Sequence, residues 1–192
     1  MDSLNVGIAS WIIQDGNYGD FKVGQEAKFA LEFYPRSLAK SKQATKLAKH
    51  TAANRYQICG QMVYKTNEVW VLDMGFLAYQ EVKPPKFAKE GSWVEGETYI
   101  SIDPFFYFEY LNKLPGMPNL NYSFRIEQIF LETTPWIKYD EASPLVIGKD
   151  RIIMQRDEWR ESYIEVAETD AWNDDDGNAH YVLKCAWLGG RI

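Results

Sequence analysis

The chain has 192 residues, with 21 Lys+Arg against 27 Asp+Glu, a net charge of −6 and a pI near 5.0. Apolar residues make up 46% and charged residues 25%, the balance of a soluble globular protein, which excludes disordered, collagen-like and membrane-spanning classes. Aromatic residues reach 15%, and rings of that size need a core or an interface to cover them.

The first residues, Met1 to Gly7, carry no basic n-region, and the apolar stretch behind them is broken by Ser10, Gln14 and Asp15. No secretory signal is expected, and the expected compartment is the cytoplasm. There Cys59 and Cys185 read as two buried, reduced thiols, and the sequon Asn121-Tyr122-Ser123 as a chance match.

Most of the chain alternates with period two and is rich in Val, Ile, Phe, Tyr and Trp, which predicts strands. A first strand is expected over 5–14, followed by a turn-rich segment over 15–20. A second covers 27–34, with Phe29, Leu31 and Phe33 on one face, Lys28, Glu32 and Tyr34 on the other, and Pro35 closing it. Residues 55–65 and 68–80 form a hairpin through Thr66-Asn67. Gly60 and Gly75 lie inside these strands, where a glycine marks a bulge or a bend that curls a sheet. Further strands fall at 97–103 and 122–133, the latter with Tyr122, Phe124, Ile126 and Phe130 on one face and Arg125, Glu127, Ile129 and Leu131 on the other.

Two segments depart from that pattern. Asp103-Pro104 before the aromatic run 105–111 has helix-start chemistry, and Lys113 and Pro115-Gly116 end the element, so a short helix is expected to plug one end of a barrel. In 36–54, Ala44, Leu47, Ala48 and Thr51 recur at helical spacing opposite Lys42, Lys46 and Lys49, which predicts a basic helical insertion near 37–54. Residues 36–55 hold six Lys/Arg and no acid, a local charge of +6 that leaves −12 on the rest.

Beyond 134, Pro135, Pro144 and Gly148 punctuate a connector, and strands are expected at 151–155, 162–172 and 179–187. Asp174-Asp175-Asp176-Gly177-Asn178 has the chemistry of a hairpin turn. Residues 157–176 hold nine acids and one base, a local −8. The expected fold is mainly β, a small, strongly bent antiparallel barrel or sandwich, OB-like in outline. It carries one short plug helix, one basic helical insertion and a C-terminal β-hairpin extension. A single domain is expected over 1–192, with a barrel-like core over 1–134 and a β segment over 150–192 packed on it.

Catalytic motifs are absent from the sequence. His50 and His180 stand without the spacing of a triad or a metal site, and no cofactor or metal is expected. An EF-hand alignment on Gly177 places Trp172 and Leu183 at ligand positions and fails. Asp73, Asp103, Glu109 and Glu132 stand amid apolar residues. Asp103 is expected to cap the helix and Glu132 to end a strand, which leaves Asp73 to watch for a carboxylate site.

The leading expectation is a non-enzymatic, acidic binding protein that neutralises or regulates a protein partner with a basic surface. Bacterial toxin-immunity proteins fit by size and charge. The expected face is Asp157, Glu158, Trp159, Glu161, Tyr163, Glu165, Glu168, Asp170 and Trp172, aromatic anchors ringed by one sign of charge. The alternative is a nucleic-acid or phospholigand binder using Arg36, Lys40, Lys42, Lys46, Lys49 and Arg55, against which the acidic body works by repulsion.

Overall fold

The structure is a computed structural model and describes residues 3–138 and 154–188. It is mainly β, built around a closed five-stranded barrel. Among the described residues the strands are β1 (Ser3–Ala9), β2 (Glu26–Phe29), β3 (Leu31–Lys40), β4 (Leu47–Ala52), β5 (Arg55–Lys65), β6 (Trp70–Asp73), β7 (Leu77–Gln80), β8 (Trp93–Ile102), β9 (Tyr122–Glu132), β10 (Trp136–Lys138), β11 (Met154–Arg156), β12 (Tyr163–Val166) and β13 (His180–Trp187). Short α-helices follow two of them, α1 (Ser10–Gln14) after β1 and α2 (Phe106–Glu109) after β8.

The barrel runs β3-β8-β5-β6-β7 and closes by a parallel bridge from Glu32 of β3 to Tyr79 of β7. Pro35 does not end β3. It pairs with Thr98 of β8, and a bulge between Pro35 and Ser37 absorbs the missing donor on a stretch where β3 no longer meets β7. Gly75 lies in the tight turn that folds the 68–80 run into β6 and β7, where the Met74 N–H donates to the Phe76 carbonyl. Inside the core Phe33 meets Trp70 edge to face with centroids 4.8 Å apart, and Phe29 stacks on Phe124 at 4.7 Å. Both pairs belong to one continuous buried cluster, and each such ring contributes about 1.5–3 kcal/mol.

A second sheet layer leaves the barrel through β1, which bridges β8 in parallel at Gly7 and Ser101. β13 pairs with β1 on one side and with β9 on the other, while β12 and β2 both line the far edge of β9. The chain passes between layers at Ala30: β2 belongs to β9, β3 to the barrel.

The segment expected to be helical between 37 and 54 is not. Its first part continues β3, and Leu47–Ala52 is β4, paired antiparallel with β5 through a tight turn at Ala53 and Asn54. Helical spacing of alanines and lysines is a weak prior, and a ready partner strand next in sequence overrides it. The 162–172 and 179–187 segments do not form a hairpin either, because β9 lies between β12 and β13. Residues 174–177 form a 3-10 turn ahead of β13. The first strand stops at Ala9, where α1 begins. In β9 a register shift opposite Lys184 and Cys185 changes the phase, so Ile129 rather than Phe130 joins Tyr122, Phe124 and Ile126 in the core. Of the strand expected at 151–155, residues 151–153 lie outside the described residues.

Candidate functional site

β1 and β8 touch at a single bridge and then separate, leaving a cleft of about 450 Å³ between the barrel and the second sheet layer. Its floor is formed by Gly7, Ile8, Ser101 and Ile102. Gly7 makes room there: a Cβ would lie 2.3 Å from Asn54 Nδ2, so a larger residue would displace the amide that donates to the Ile100 carbonyl and ties the β4–β5 turn to β8. The barrel wall presents Tyr34, Tyr99 and Arg55, and the opposite wall presents Glu132, Arg156, Glu161, Tyr163 and His180. Trp11, half exposed on α1, forms the lip.

Charge inside the cleft is paired across it. Arg55 of β5 meets Glu161, just before β12, at 2.5 Å, and the Tyr163 hydroxyl donates to the same carboxylate at 2.8 Å. Arg156 donates to Asp175 and to the Thr134 carbonyl, each at 2.6 Å, lies 4.0 Å from Glu132, and stacks 4.1 Å over the Trp136 ring. The Nε–H groups of both arginines are buried without a hydrogen-bond acceptor among the described residues. Desolvation lowers the pKa of His180, which favours the neutral imidazole. A concave, aromatic-lined cleft with a few converging polar groups has the form of a binding site.

Of the expected acidic face, Glu161 and Tyr163 line this cleft. The others are not among its lining residues, and two of their acids are neutralised by a neighbouring cation. Asp157 pairs with Arg160 at 2.5 Å and accepts the Trp159 N–H, and Glu168 pairs with Lys22 at 2.6 Å. Glu165 accepts from Gln128, and Asp170 accepts from Asn173. Glu158 opens a 3-10 turn. The tryptophans stand out more: Trp159 is 96% exposed and Trp172 67%, with Trp11 and Trp136 also exposed.

The basic segment is likewise divided. Arg36 pairs with Glu97 at 3.3 Å, Lys46 with Asp73 at 2.7 Å, and Arg55 is held in the cleft, while Lys40, Lys42 and Lys49 are exposed. Asp73, the carboxylate singled out in sequence, is thus an ion-pair partner that also accepts the Gly75 N–H. The cap position of α2 is Phe105 rather than Asp103, which instead reaches in from two residues earlier, its carboxylate accepting the Tyr107 N–H. Glu132 lines the cleft, and Cys59 and Cys185 are buried free thiols. Among the described residues no group of three or more potential metal ligands assembles, and no helix is long and apolar enough to cross a membrane.

Sequence reasoning did not single out Glu32. It lies 4% exposed on the outer face of the barrel, with Tyr34 donating to it and Asp103 and Tyr79 nearby. The signal available was the Glu32-x-Tyr34 alternation, which correctly aims both residues away from the barrel interior. Comparison with protein-family models, curated proteins and solved structures finds no match for this chain.

Proposed function

We propose that this is a non-enzymatic binding protein that neutralises or regulates a protein partner, as toxin-immunity proteins do, and that tryptophans around the cleft are its anchors. The observation that carries this reading is Trp159, 96% exposed and two residues before Glu161 of the cleft wall, together with the exposed Trp172, Trp136 and Trp11. An indole left in water forgoes a large burial energy, and exposed tryptophans are the side chains that dominate binding when a partner covers them. The net charge of −6 favours a basic partner and speeds encounter with it. Internal pairing of Asp157, Glu161 and Glu168 assigns affinity to the rings more than to the acids.

The test is affinity capture from the native host, followed by titration of the captured partner. Trp159→Ala and Trp172→Ala are each expected to weaken binding by about 2 kcal/mol, roughly thirtyfold, with thermal stability unchanged. A partner bound equally well by both variants rules out the tryptophan face. Capture of no partner by the wild-type chain removes the reading altogether.

A further inference from the structure

Against the outside of the barrel, next to the cleft, two carboxyl groups are buried together. Glu32 is 4% exposed and Asp103 fully buried, and among the described residues neither has an ion-pair partner. The groups facing them are tyrosines and a further acid. Tyr79 of β7 donates its hydroxyl hydrogen to Asp103, and Tyr34 of β3 donates to Glu32. Tyr18 packs edge-on against Phe105 at 5.6 Å, its buried hydroxyl without a hydrogen-bond partner and within the field of both acids. Glu81, itself bonded to the Tyr110 hydroxyl, adds negative potential.

Hydrogen-bond donors separate the two acids. Tyr79 gives its single hydrogen to Asp103, and Glu32 accepts from Tyr34. Asp103 is the better place for the charge: Phe105 sits at φ 84° and turns the chain so that backbone N–H groups, Tyr107 among them, point at that carboxylate.

We propose that Glu32, Tyr79 and Asp103 form a proton-binding site, in which one proton is held on Glu32 at neutral pH and Tyr34 connects that proton to the cleft. Burial raises Glu32 from 4.5 to about 7 and Asp103 from 3.8 to about 6, consistent with that order. Tyr34 lines the cleft and its hydroxyl stabilises ionised Glu32. A bound group that draws this hydroxyl away therefore raises the affinity of Glu32 for its proton, and cleft occupancy and pH become linked. The proton site stands independently of the partner proposed above and is tested on the free protein.

Because the folded chain binds protons that the unfolded chain has released between pH 4.5 and about 7, stability is highest on the acid side of that window and falls as pH rises through it. Infrared titration of the wild-type protein is expected to show a protonated-carboxyl C=O band that disappears with a midpoint near neutrality. Glu32→Gln removes that band and flattens the fall of Tm from pH 5 to pH 8. Tyr34→Phe moves the midpoint up, and Asp103→Asn moves it down. A wild-type protein with no such band at pH 6, or a band with its midpoint near neutrality that survives in Glu32→Gln, overturns the proposal. Should Asp103→Asn fail to fold, the loss of the band in Glu32→Gln and the upward shift of its midpoint in Tyr34→Phe still decide it.

Discussion

Gly96 and Glu32 show what single residues decide in this molecule. At Gly96, opposite Leu38 where β8 meets the outer half of β3, an added Cβ would lie 1.9 Å from the Ser37 carbonyl oxygen, backbone that cannot rotate aside. Gly96→Ala is therefore expected to cost about 3 kcal/mol or more, read as a lower urea midpoint with the slope unchanged. A variant as stable as wild type would mean that the two strands part without cost there. Nothing local in the sequence marks Gly96, since its constraint comes from a strand some sixty positions earlier. Glu32 is the complementary case. The alternation 31–34 correctly places it outside the barrel, but its cover arrives from Tyr79, Asp103 and Tyr18, and a sequence pattern carries no information about which distant side chains lie over a given face. The ion pair of Asp73 was hidden for the same reason, its Lys46 partner standing 27 positions away in a segment read as a helix.

At the scale of elements, strands in the N-terminal two thirds were legible wherever a two-residue alternation coincided with turn chemistry. The β5–β6 hairpin at Thr66, the bend at Gly75 and the helical turn after Asp103 follow from residue type alone. The basic segment was not, because its small and long-chained residues satisfy helix spacing while the stabilising interaction, pairing with β5, lies outside the segment. The turn that makes this pairing possible is itself imperfect. Ala53 occupies φ 44° at the first of two turn positions, where a Cβ is strained and glycine is preferred. Ala53→Gly should raise stability by about 0.5–1 kcal/mol, measured by thermal or urea unfolding, since the relieved strain outweighs the extra freedom of the unfolded chain. A loss of stability would instead place the value of that residue in its side-chain contacts.

Across the whole molecule, the net charge of −6 conceals an arrangement in which the +6 stretch and the acidic C-terminal stretch are brought together. Arg55 ends the first, Glu161 lies in the second, and they meet at 2.5 Å with about a quarter of each side chain exposed. Among the described residues β12 is four residues long, pairs with β9 alone and carries Ile164 half exposed. The Arg55–Glu161 pair should therefore act as a clasp from the barrel to this edge, partly screened by water and contributing about 1 kcal/mol. Hydrogen exchange separates this from a contribution to global stability. Arg55→Met is expected to speed exchange about fivefold in β12 and the facing end of β9, while amides of β3, β5 and β8 keep their protection, because local opening draws only on the interactions of the unit that opens. The double variant Arg55→Met with Glu161→Leu should recover part of the loss, since it leaves no partly buried carboxylate unpaired at the cleft wall. Uniform acceleration across barrel and second sheet alike would instead make the pair part of the common core and leave the cleft without a movable wall.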